Sequence, residues 1–168
     1  VPLTVPRGHW IRELKGITVP VSLDLWSPTG KRLESFTNSM LCTHFGITGP
    51  AVLDMSRYYL DAKRDEPEIK LTINWVPAFE HDLLQHQFKK ENQITPLQWV
   101  RSQLPERLAK TILEQTFGAD FQAKSISKLN QLSKNERRNL IGTLTRFEVP
   151  VAGDRGFEIG RASCRERV

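Results

Sequence analysis

The stretch with the most chemical promise is Leu41-Cys-Thr-His-Phe-Gly-Ile-Thr-Gly-Pro-Ala-Val52. It reads as the end of a strand, a loop holding two glycines, and a helix with Pro50 at its first position, where the missing N–H costs nothing. Gly46 and Gly49 permit close backbone approach or a positive φ, and the first helical turn offers N–H groups with a favourable dipole. Such a corner can hold a phosphate or a carboxylate, or polarise a carbonyl. The plainer alternative is a strand–helix turn in which Gly49 or Thr48 caps the helix. Thr48 is thus a cap or a ligand contact. His44, beside Thr43, is an acid/base group, a hydrogen-bond donor to a ligand, or a structural member of the loop.

Other reactive side chains group less well. His81 and His86 are five apart, which does not place two ligands on one helical face, so no metal site is expected. Asp82 and Glu80 fit helix-start charges. The two cysteines, Cys42 and Cys164, have neither metal spacing nor a disulfide framework, and a reducing, cytoplasmic setting is the expectation. His9 follows Gly8 in an uninformative loop, and Trp10, Trp26, Trp75 and Trp99 suit core or seam positions. The sequence has no G-x-G-x-x-G, no Walker loop and no G-x-S-x-G.

The elements that must position the loop fall into two textures. Residues 1–76 look β-rich. Ile17, Val19, Val21, Leu23 and Leu25 alternate onto one face, and Pro20 within that run predicts an edge strand or a bulge. Ser27-Pro28-Thr29-Gly30 makes a turn, Lys31 to Leu41 pairs back, and Ile69, Leu71 and Ile73 form a third strand. Pro50 to Leu60 is a short helix with Val52, Leu53, Met55, Ser56 and Tyr59 close together. Residues 77–146 look helical. The expected helices run from Ala78 to Asn92, from Pro96 past Val100, from Pro105 to a stop at Gly118, from Ser125 to Leu132, and onward from Ser133. There Ser133 and Glu136 form a capping box. Residues 147–157 read as a strand returning toward the sheet. The fold class is α+β, a β-barrel-like antiparallel subdomain followed by a small helical bundle.

Composition bounds the function classes. With 168 residues, 39% of them hydrophobic and 26% charged, the chain is neither disordered nor a disulfide miniprotein. The longest uncharged stretch holds Asn38, His44, Gly46, Gly49 and Pro50, so no membrane helix and no membrane partner are expected. The formal charge of +5 admits a polyanionic partner. However, the basic residues are scattered, the densest pairs being Lys89-Lys90 and Arg137-Arg138, which weighs against a nucleic-acid footprint. A free-standing basic binding module is nevertheless the alternative class.

Several strings together resemble one family. They are Val1-Pro-Leu-Thr-Val-Pro6, Thr43-His-Phe-Gly-Ile-Thr-Gly-Pro-Ala-Val-Leu53 with Ser56-Arg57-Tyr58, Leu104-Pro-Glu-Arg-Leu108, and Leu140-Ile-Gly-Thr-Leu144 with the strand after it. They are similar to FAD-binding oxidoreductases that include aminoacetone oxidases and a bile-acid-reducing flavoprotein. In that family a two-part insertion, one part barrel-like and one helical, interrupts the FAD domain. The resemblance implies that this chain is the inserted, substrate-side region, partnered by an FAD-binding domain of the same parent chain and inactive without it. The small-molecule substrate and any use of NAD(P) stay open. It also implies that Thr43, Gly46, Thr48 and Gly49 face cofactor or substrate, with His44 as the candidate catalytic group. The family's dinucleotide fingerprint and its Val-Thr-x-Gly-Gly-type segment are absent. Residues 158–168 resemble a translated sequencing adapter and are set apart from the fold.

Overall fold

The computed structural model describes residues 1–91 and 93–155. The expectation of an artefactual tail at 158–168, and the last part of the strand expected at 147–157, lie outside the described residues. The elements in order are β1 (Leu3–Thr4), α1 (Trp10–Glu13), β2 (Thr18–Trp26), β3 (Arg32–Cys42), β4 (Gly46–Thr48), α2 (Pro50–Asp65) and β5 (Lys70–Asn74). Then come α3 (His81–Lys90), α4 (Pro96–Gln103), α5 (Glu106–Phe117), α6 (Phe121–Ser125), α7 (Lys134–Thr145), β6 (Phe147–Glu148) and β7 (Gly153–Asp154). The class is α+β, as the alternation of textures requires.

The sheet runs β6-β5-β2-β3-β4-β1-β7, and the pairs β2/β3, β3/β4, β4/β1 and β1/β7 are antiparallel. Its spine is the β2/β3 hairpin. Val19, Val21, Leu23 and Leu25 are buried while Pro20 is exposed, which is the period-two pattern of a half-buried strand. The turn between them is closed by Gly30 N–H to Ser27 O at 2.9 Å and Ser27 N–H to Lys31 O at 2.8 Å, with Gly30 at φ 90°.

Pro20 misleads here. β2 lies inside the sheet, between β5 and β3, and its irregularity falls at Leu25/Trp26 instead. Two observations explain how an interior strand tolerates proline. β5 is five residues long against nine in β2, so it cannot pair along the whole strand, and Trp26 Nε1, at the end of β2 far from Pro20, donates to Thr72 Oγ1 of β5 at 2.8 Å.

α2 outruns the helix expected to Leu60, continuing to Asp65. Val52, Met55, Ser56 and Tyr59 are buried at positions i, i+3, i+4 and i+7, the stripe one helical face presents to the sheet. Leu53 does not join them; it is half exposed on the outer side. The short α1, β4 and β7 carry too little periodicity to be read from sequence. His9 initiates α1, its Nδ1 accepting from Ile11 N–H at 3.2 Å. The strand expected over 147–157 is broken among the described residues: β6 ends at Glu148, Val149 N–H donates to Leu71 O at 2.8 Å, and β7 at Gly153–Asp154 pairs with β1.

The chain divides into two compact units. One comprises residues 1–72 with the chain from Glu148 onward, the other residues 73–147. In the second, α4 opens on a Thr95/Gln98 capping box and α7 on Ser133/Glu136. α5 stops at Gly118, whose φ of 56° ends the helix. Its core gathers Leu84, Phe88, Trp99, Val100, Leu108, Ile112, Leu140, Ile141 and Leu144, with the Phe88 and Trp99 rings edge-on at 4.9 Å. The helix expected over Ser125–Leu132 is broken into the end of α6 and a 310 turn at Leu129–Gln131, leaving Ile126 between them and exposed. Among the described residues no helix is long and apolar enough to cross a membrane.

Candidate functional site

The Thr43–Pro50 loop belongs to the sheet unit and is built by strand pairing. β3 ends at Cys42, the chain reverses over Thr43–Gly46, and β4 returns with Cys42 opposite Ile47 and Leu41 opposite Thr48. Thr43 is the pivot. Its N–H donates to Gly46 O at 2.8 Å, and its Oγ1 accepts from Phe45 N–H at 3.3 Å and Gly46 N–H at 3.1 Å. A side-chain hydroxyl closing its own turn in this way is a structural device. Phe45 is fixed on both sides: its carbonyl accepts from Val5 N–H at 3.0 Å, and the Arg155 guanidinium lies 4.3 Å from its ring centroid.

His44 occupies the tip. It is exposed, and its ring meets Phe45 edge-on at 5.3 Å. Below it, Cys42 is fully buried, and burial pushes its thiol up to about 11. Cys42 is therefore a small core residue and not a nucleophile at neutral pH.

The two glycines have a purpose, and their own backbone fills it. A Cβ on Gly46 would stand 2.2 Å from Leu3 O and 2.8 Å from the Thr4 Cα; one on Gly49 would meet Ser39 O at 3.0 Å and Leu41 N at 3.2 Å. Gly49 has φ 104° and is the residue that caps α2, without a side-chain bond; Thr48 pairs in β4. Close approach is real, yet the partners are strands β1 and β3. Pro50 removes one N–H from the first turn, and Ala51 and Val52, which carry the next two, are buried residues.

These commitments do not amount to a flavin cradle. The threonine hydroxyl closes a turn, and the space above both glycines is taken by strands. What the loop presents to solvent is His44, with the Phe45 ring edge-on to it.

A groove of about 550 Å3 runs along the outer face of α2, beginning one turn past Gly49. Leu53 and Leu60 give it an apolar floor, Arg57 and Arg64 basic walls, and Asp61 pairs with Arg64. Sequence reasoning grouped Leu53 with Val52, Met55, Ser56 and Tyr59 and quoted Arg57 only within a resembling string, so it did not single out this face.

His81, in the helical unit, makes no metal site. Its Nδ1 lies 2.9 Å from Thr145 Oγ1 and its Nε2 lies 3.2 Å from Gln85 Nε2. Thr145 donates its proton to Ile141 O at 2.7 Å, so His81 must donate from Nδ1 and accept at Nε2. Burial, followed by the positive charge of Arg146, holds its pKa below the usual 6.5, with Asp82 opposing. Among the described residues no group of His, Cys, Asp and Glu could hold a metal.

Fold and sequence together define the class of this domain. Residues 1–159 match the HI0933-like protein barrel and H2TH domain, and the chain belongs to that family. It is similar to the ribosomal RNA dihydrouridine synthase of Haemophilus influenzae, 28% identical over 162 residues that cover 94% of this chain and 35% of that protein. To the ribosomal RNA dihydrouridine synthase of Escherichia coli it is 29% identical over 161 residues, 94% of this chain and 36% of that protein. The chain spans about a third of the length of these relatives.

Proposed function

We propose that this chain is the barrel-and-helix region of a flavin-dependent enzyme that reduces a uridine of ribosomal RNA. The observation that carries the reading is the match across 94% of the chain, through both units, to two relatives that bear the same name, ribosomal RNA dihydrouridine synthase. The resemblance to FAD-binding oxidoreductases supports the cofactor class. Saturating the C5–C6 bond of uracil consumes two electrons and two protons, and no amino-acid side chain supplies a hydride. The cofactor would therefore be held mainly by the two thirds of the relatives' length that this chain does not span.

The contribution of this chain is to hold the substrate. His44, at an exposed tip backed by Phe45, is placed to donate a hydrogen bond or a proton to a ring carried against that tip. Two expectations of different class, a flavin oxidoreductase and a basic nucleic-acid module, become one protein if the substrate is a base within RNA.

The test uses the full-length parent enzyme. Ribosomal RNA from a strain lacking the gene, digested and weighed by mass spectrometry, should lose one nucleotide bearing two extra hydrogens, and the wild-type gene should restore it. An unchanged nucleotide inventory in the deletion strain sinks the RNA reading. It leaves a small-molecule flavin oxidoreductase as the alternative.

A further inference from the structure

The excess positive charge of this protein sits almost wholly in the helical unit. Residues 73–147 hold eleven of the 24 basic residues and seven of the 19 acidic ones, so four of the five net charges are there. Within that unit the excess narrows to residues 124–138, which contain Lys124, Lys128, Lys134, Arg137 and Arg138 against Glu136 alone.

The fold draws these residues around the entry to α7. Lys124 Nζ reaches Glu136 Oε2 at 2.9 Å, bringing the end of α6 to the first turn of α7. Arg137 Nη1 donates to Leu132 O at 2.5 Å, pinning the approach to the helix. Lys128 Nζ donates to Gln93 O at 2.9 Å. Glu136, the only acid, is occupied by Lys124 and by the Ser133 N–H, and those bonds hold its carboxyl below the usual carboxylate range. Lys134 and Arg138, four apart on one exposed face of α7, have no ion-pair partner among the described residues. Ile126, 69% exposed, stands between Lys124 and Lys128.

We infer that this corner, from the end of α6 through the first turns of α7, docks the phosphate backbone of RNA. The inference rests on the proposed RNA substrate. The chemistry is specific in kind. Lys134 and Arg138 are two unspent cations a helical turn apart at the positive end of the α7 dipole, and the one carboxylate within residues 124–138 is already engaged by Lys124. Ile126 adds an apolar contact suited to a sugar or base face, which a bare anion would not use.

The experiment measures binding of a fluorescein-labelled RNA hairpin to the full-length parent enzyme across a salt series. The double variant Lys134→Gln/Arg138→Gln is compared with Lys31→Gln/Lys70→Gln, which removes the same charge from exposed positions on the sheet unit. Each phosphate contact contributes a slope of about 0.7–0.9 in log K against log salt. The α7 pair should therefore lower the slope by about 1.5, with roughly tenfold weaker binding at low salt, while the sheet pair leaves both unchanged. Equal effects from the two pairs overturn the inference, as does an unchanged slope in the α7 variant. So does stronger binding to phosphatidylserine vesicles than to RNA. If the parent binds no RNA, this inference and the proposed substrate fall together. If the α7 pair weakens RNA binding but the deletion strain keeps its nucleotide inventory, the docking surface stands and only the reaction is wrong.

Discussion

At the scale of single residues, the structure separates groups that are spent from groups that are available. Thr43 is spent on its turn and Cys42 on the core, whereas His44 is available. In the parent enzyme His44→Ala should lower uridine reduction by about 100-fold, the scale of a general acid. Its Tm should hold, because an exposed tip contributes little to stability; unaltered turnover would reduce this loop to a turn. His81 gives a prediction of a different kind. Its folded pKa lies below 6.5, so the folded helical unit binds a proton less readily than the unfolded chain. Its contribution to stability is complete above 6.5 and is lost as the pH falls through the folded value. Urea midpoints taken across that range should fall less steeply with acid in His81→Gln than in the wild type. Parallel slopes would mean that the imidazole is not held neutral.

At the scale of elements, the loop was legible as a strand–loop–helix corner, but the reason for its glycines was not. Sequence can say that a Cβ is missing and cannot say what occupies the space. Here it is the Leu3 carbonyl and the Ser39–Leu41 backbone. Gly46→Ala should therefore cost at least about 3 kcal/mol, beyond ordinary overpacking, because backbone cannot move aside as a side chain can. Chemical denaturation of the chain checks it; a loss below about 1 kcal/mol would show that β1 yields easily. Glycine variants thus report on folding, and His44 alone reports on the site. Long periodic elements were readable for the same physical reason that they are stable: β2 and α7 bury one face and announce it every second or every third to fourth residue. Two-residue strands such as β1, β6 and β7 have no period to announce. They exist because the register of their neighbours offers unpaired backbone, which no local pattern encodes. The break between α6 and the Leu129 turn was hidden likewise, since Ile126 mimics a core position that the chain leaves exposed.

At the scale of the whole molecule, one chain with an α+β fold carries the exposed His44 tip in one unit and four of its five net charges in the other. On the proposed division of labour the chain does not hold the cofactor on its own, because the groups that looked like a cradle are consumed by strand pairing and turn closure. Purified chain, with its fold verified by circular dichroism, should carry no flavin absorbance. Adding FAD at high micromolar concentration should leave its Tm where it was, since a ligand raises stability only by binding the folded state, by about 2.7 kcal/mol at a hundredfold excess over Kd. The full-length parent under the same conditions should show both the absorbance and the shift. A clear rise in Tm for the chain alone would mean that Thr43, Gly46, Thr48 and Gly49 bind the cofactor directly despite their internal partners. The close packing of Gly46 against Leu3 and the Thr43 turn would then have to open on binding, and hydrogen exchange at Phe45 and Gly46 in the presence of FAD would detect that opening.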